Sequence, residues 1–112
     1  MDPLTRQTCV ACRSDSPVVT DSEIAEFSLQ IPDWEILIED GIRKLNRAFK
    51  FEDFGQAVSF GNRVAELAES EDHHPRITTE WGRVAVTWWT HKIRNLHRND
   101  FIAAAKTDGI YI

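Results

Sequence analysis

The run DFGQAVSFGNRVAELAESEDHHP, residues 53–75, decides the fold. Phe54, Ala57, Val58, Gly61, Val64, Ala65 and Ala68 recur at spacings of three and four, which lays one apolar stripe along a helix. Asp53 stands where an N-cap belongs, its carboxylate able to accept amides that the first turn leaves without partners. Just past its far end, Pro75 fixes its own φ and biases His74 towards extended backbone, which makes a constrained turn. A helix with one apolar face needs another layer to cover it.

The flanking segments supply that layer. Trp34 to Ile38 reads as a short strand, Asp40-Gly41 as a tight hairpin turn, and Ile42 to Phe51 as a second strand with imperfect alternation. On the other side, Arg76 to Trp81 is short and extended. Arg83 to Thr90 alternates well, with Val84, Val86 and Trp88 on one face and Ala85, Thr87 and Trp89 on the other. Continuing that alternation puts His91 on the face of Thr87 and Trp89. Further out, Thr20 and Glu23 have capping-box spacing, and Ile24, Phe27 and Ile31 share a face of a first helix that Pro32 ends. Asn99 or Asp100 opens a last helix carrying Phe101, Ile102, Ala104 and Ala105. The order α-β-β-α-β-β-α implies an α+β fold, a four-stranded antiparallel sheet with three helices packed on one face. Residues 1–19, with Pro3 and Pro17 and no sustained periodicity, read as a loose, irregular N-terminal arm, and residues 20–112 as a single domain.

Bulk properties exclude several classes of function. At 112 residues one domain fits and two do not. Thirteen basic residues stand against 18 acidic ones, a net charge of −5. Arg43, Lys44, Arg47, Lys50, Arg83, Lys92, Arg94 and Arg98 are scattered among acids, so no basic face is available for direct binding of nucleic acid. No apolar run approaches the about 20 residues that span a bilayer, and the first residues lack the pattern of a secretory signal. A cytoplasmic protein without membrane contact is expected. Two cysteines, Cys9 and Cys12, are too few for a secreted disulfide scaffold.

The chemistry concentrates in three histidines. His73 and His74 follow the long helix, and His91 ends a strand. Pro75 presents the first two imidazoles from a constrained turn. Glu69 lies one helical turn before His73, and Asp72 is adjacent, so carboxylates are at hand to orient a ring. A pair of histidines suits proton transfer to and from a hydroxyl leaving group. The plainer reading is a surface turn, and Glu66, Glu69, Glu71 and Asp72 read as a solvated helix face with Glu69 the exception. His97 has no such neighbours and reads as a solvated turn residue. Zinc held by the histidines with Cys9 and Cys12 is a competing reading. Against it, the Cys-x-x-Cys step lacks a second pair and adjacent histidines diverge on extended backbone. A thioredoxin-like role fails because the motif opens no βαβ unit. Trp88 belongs to the core, whereas Trp89 shares the His91 face and could stack on a flat heterocycle.

Together the run from Glu69 to Pro75, Trp81, the run from Val84 to His91, and Asn99-Asp100-Phe101 resemble the pterin-4a-carbinolamine dehydratases, in particular their bacterial branch associated with phenylalanine hydroxylase. The likeness extends upstream through Trp34, Phe49, Phe51, Asp53-Phe54, Ala57, Phe60 and Val64-Ala65. It implies removal of water from 4a-hydroxytetrahydropterin to give quinonoid dihydropterin, recycling the cofactor of aromatic amino-acid hydroxylases, with no metal and no organic cofactor. It further implies catalytic residues His73, His74, His91, Asp100 and Glu69, and substrate contacts at Asp72, His73, His74, Trp89, Thr90, His91 and Lys92. Expected partners are the pterin, further copies of the chain in a homodimer or homotetramer, and an aromatic amino-acid hydroxylase. The alternative is a non-catalytic binding module serving as a dimerisation cofactor or regulator of a transcription factor, as animal members of the family do. One departure is Asn95 where the family usually has glycine, and asparagine is expected to take the left-handed turn position there.

Overall fold

The computed structural model describes residues 3–111, from Pro3 to Tyr111. Its elements are α1 (Asp21–Ser28), β1 (Glu35–Glu39), β2 (Ile42–Lys50), α2 (Phe54–Glu71), β3 (Arg76–Glu80), β4 (Arg83–Trp88) and α3 (Arg98–Ile110). Short 3-10 turns lie at Leu4–Arg6 and His91–Ile93. The expected order α-β-β-α-β-β-α is therefore present. The sheet is antiparallel throughout, with strand order β1-β2-β4-β3. Asp40 and Gly41 both have positive φ in the β1–β2 hairpin, the geometry whose twist matches the strands it joins.

Register explains which side chains meet the helices. Leu45 pairs with Trp88, Phe49 with Val84, and Ile77 with Val86, so these residues share one face. They join Ala57, Phe60, Val64 and Ala68 of α2 and Phe101, Ile102 and Ala105 of α3 in one core. Phe49 lies against Phe60 and Tyr111 with ring centroids 4.8 and 4.9 Å apart, and burying such a ring stabilises the fold by roughly 1.5–3 kcal/mol. At Gly61 the helix comes so near β3 that an added methyl would meet the Thr79 hydroxyl at 3.1 Å. Phe60, which the apolar stripe omitted, is buried, while Phe54, at the first helical position, is half exposed.

The caps follow the sequence at two helices. Thr20 and Glu23 form a full capping box on α1, and the Asp53 carboxylate accepts the Gln56 amide at α2. Several boundaries differ from expectation. The first helix ends at Ser28 rather than Ile31; Ile31 is nevertheless buried, because a turn carries it inward. Trp34 precedes β1, where its indole N–H donates to Asp108 at 2.8 Å. The last helix begins at Arg98, capped by His97, which is buried and not solvated. Its Nδ1 accepts the Asn99 amide at 3.0 Å, a role that needs a neutral ring on the inside. The arm packs on the domain, with Leu4 fully buried in the core. Among the described residues no helix is long and apolar enough to cross a membrane.

Candidate active site

The C-terminal end of α2 and the N-terminal end of α3 meet at one buried pair. Asp72 closes α2 in the left-handed conformation, φ 49°, and turns the chain back so that the His73 amide donates to Ala68. His73 is thereby tucked inside, its ring lying flat on Trp88 at 5.5 Å with an interplanar angle of 12°. The His73 Nε2 is 2.6 Å from Asp100 Oδ1. Asp100 is wholly buried, and its other oxygen accepts the Thr90 hydroxyl at 2.8 Å and the His97 amide at 2.9 Å. With the carboxylate accepting on both oxygens, Nε2 carries the hydrogen and Nδ1 is the nitrogen left for chemistry.

The other two expected imidazoles lie at the rim. His74 and His91 are both exposed, and one cleft of about 290 Å³ is lined by both of them together with Asp72, His73, Thr90 and Lys92. That size is at the lower end of ligand sites, roughly 300–1,000 Å³. Ala11 and Cys12 of the arm complete the lining. A hollow of similar size between the arm, α1 and α3 contains only His97 among the histidines, and that ring is committed to its cap.

β4 stops at Trp88, and Thr90 makes an isolated bridge to Asn95 that returns the chain as the 3-10 turn of His91 to Ile93. The left-handed residue of this turn is Arg94, φ 51°, and not Asn95. Asn95 instead serves as an anchor, its Oδ1 accepting from Arg43 at 2.9 Å and from the Leu96 amide at 2.8 Å.

Three expected residues stand outside the cleft lining. Asp100 lies behind His73. Glu69 is exposed and faces His74, at 3.7 Å, rather than His73. Trp89 lies on the outer face of the sheet, with the Lys44 ammonium 4.0 Å from its ring centre and the His91 ring 4.5 Å away. Lys44 is itself buried and paired with Glu39, so Trp89 has the geometry of a support for His91. Sequence reasoning missed the cleft contribution of Ala11 and Cys12, the His97 cap and the Asn99 contacts with the arm. No local signal marks the arm contacts, because those partners are distant in sequence; the partners of His97 are close, but histidine is not a usual capping residue. Among the described residues no three of His, Cys, Asp or Glu are grouped so as to hold a metal ion.

Comparison with known proteins points to one family and fold. A family model described as pterin 4 alpha carbinolamine dehydratase matches residues 17–110. A protein of Syntrophotalea carbinolica with the provisional name pterin-4-alpha-carbinolamine dehydratase is 56% identical over 110 residues, 98% of each chain. The crystal structure of a transcriptional coactivator/pterin dehydratase from Brucella melitensis superposes with a TM-score of 0.75 at 33% identity, covering 86% of this chain and all of that one. A pterin dehydratase-like RuBisCO assembly factor of the alpha-carboxysome shares the fold, with a TM-score of 0.58 at 22% identity over 69% of this chain and 87% of that one.

Proposed function

The chain belongs to the pterin-4-alpha-carbinolamine dehydratase family, and from that premise we propose that it removes water from 4a-hydroxytetrahydropterin in the cleft of His73, His74 and His91. The observation that carries this reading is that three imidazoles from two distant segments line one cleft, one of them oriented by a buried carboxylate. In the elimination the C4a–O bond breaks with its electron pair going to oxygen, while an acid protonates the departing hydroxyl. The N5–H pair becomes the second bond of C4a=N5, and a base takes that proton. Water and quinonoid dihydropterin leave, and the two imidazoles have exchanged protonation states, so the enzyme's proton count is unchanged.

His73 is suited to proton transfer through Nδ1, because Asp100 occupies Nε2. His74 and His91 are exposed side chains able to turn towards a bound ring. Glu69 would orient His74, and Trp89 would support His91. Asp72, Thr90 and Lys92 would meet the polar edge of the pterin. The same reading makes an aromatic amino-acid hydroxylase the source of substrate, places the chain in the cytoplasm, and expects a homodimer or homotetramer. A partner-binding role, without catalysis, is the second reading, motivated by the coactivator name of the Brucella relative.

A stopped-flow assay following decay of enzymatically generated 4a-hydroxytetrahydropterin separates the two. The full chain should accelerate decay, His74→Ala should lower turnover by about 10²-fold or more, and joint replacement of His74 and His91 should abolish it. A folded chain that leaves the decay unchanged would sink the dehydratase reading and favour the partner-binding one.

A further inference from the structure

The N-terminal arm runs alongside the histidine cleft, and contacts on both rims hold it there. Asn99, fully buried beside Asp100, accepts the Val10 amide at 3.0 Å and donates to the Val10 carbonyl at 2.8 Å, gripping the arm as a neighbouring strand would. Glu71, at the end of α2, accepts the Cys9 amide at 3.3 Å and is itself paired with Lys106. From the opposite rim the Lys92 ammonium donates to the Cys12 carbonyl at 2.9 Å. The Cys12 thiol comes within 4.0 Å of His73 Nδ1 and receives the Asn99 amide at 3.3 Å. A buried side chain with its amide given over to the arm, and a lysine reaching across to it, describe a built wall.

We propose that Ala11 and Cys12 form a wall of the substrate site, with Cys12 the residue that positions His73 and limits what the cleft admits. This rests on the dehydratase reading above. The thiol is a weak donor, so it steadies the ring at Nδ1 without competing strongly for the lone pair that the reaction needs. The same position gives a direct readout. Burial, followed by the Glu71 charge, pushes the Cys9 thiol up to about 12, so little of it is thiolate at neutral pH and it reacts slowly. A thiol reagent therefore reports on Cys12.

The full chain is labelled with N-ethylmaleimide near neutral pH, with and without 7,8-dihydrobiopterin, and the modified peptide is quantified by mass spectrometry. In parallel, kcat and KM are measured for the wild type and for Cys12→Ala. Pterin at about ten times its Kd should slow Cys12 labelling about tenfold, and Cys12→Ala should raise KM about three- to tenfold through the lost wall and lower kcat about three- to tenfold through the unsteadied His73 ring. The labelling arm uses the unaltered chain, so it decides the matter even if the variant folds poorly. Labelling indifferent to a pterin concentration that saturates tryptophan fluorescence, in a chain that still dehydrates substrate, overturns the wall and leaves the dehydratase reading intact. A wild-type chain that neither binds the pterin nor accelerates dehydration overturns both.

Discussion

At the scale of single residues, the use of a neutral imidazole as a helix cap makes the chain sensitive to acid. His97 Nδ1 can accept the Asn99 amide only while unprotonated. Burial holds the His97 pKa below its ordinary value of 6.5, with Asp100 opposing that shift and the His73 and Arg98 charges reinforcing it. The unfolded chain therefore binds this proton more readily than the folded one. The stability contributed by His97 is fully present above the unfolded value and is lost as pH falls through the lower folded value. Urea unfolding measured from pH 7.5 down to about pH 5 should show a steeper loss in the wild type than in His97→Asn, which keeps a capping acceptor that does not titrate. Parallel curves would remove His97 from the account. Nothing in the sequence around His97 announces this, since its burial depends on α1 and the arm. His73, His74 and His91, by contrast, are conspicuous from residue type and spacing, and Asp100 enters through the family motif before its contact with His73 is seen.

At the scale of elements, α2 does the most to place the site, since it sets Asp72 and the two histidines at its end. Its course was legible from the apolar spacing, and its start from Asp53. Its end was legible from His73-His74 and Pro75, but the device that makes it was not, because the left-handed turn falls on an aspartate where glycine is the usual signal. The tight approach of α2 to β3 at Gly61 fixes how far the helix end stands from the sheet. Gly61→Val forces branched bulk against Thr79 and Ile77 and should cost about 1–3 kcal/mol in chemical denaturation. An unchanged midpoint would mean the helix rides farther from β3 than described. The strands were legible from alternation up to Trp88; the turn beyond it was not, because Asn95 is held by Arg43 from a strand 52 positions away.

At the scale of the whole molecule, one face of the sheet has no helix on it and β1 is an open edge. On that edge Ile38 is 71% exposed and Ile36 is also accessible, both on the face shared with Leu45. Unpaired edge strands with apolar side chains favour association with another copy. Sedimentation should give a mass above the 12.9 kDa of one chain, and Ile38→Lys, which places a charge on that edge, should shift the population towards monomer. An unaltered assembly would move the interface elsewhere. The order of the elements was legible at this scale, but the docking of the arm was not: Val10 and Asn99 are 89 positions apart, and no local pattern carries such a contact.

The joint between His73 and Asp100 has one more consequence. It links the tail of one helix to the head of another through a 2.6 Å contact, so on the dehydratase reading turnover would serve as a gauge of how well those two rods are seated. A compact, fully helical chain in which they had slipped past each other would look native to far-ultraviolet circular dichroism and yet be inert.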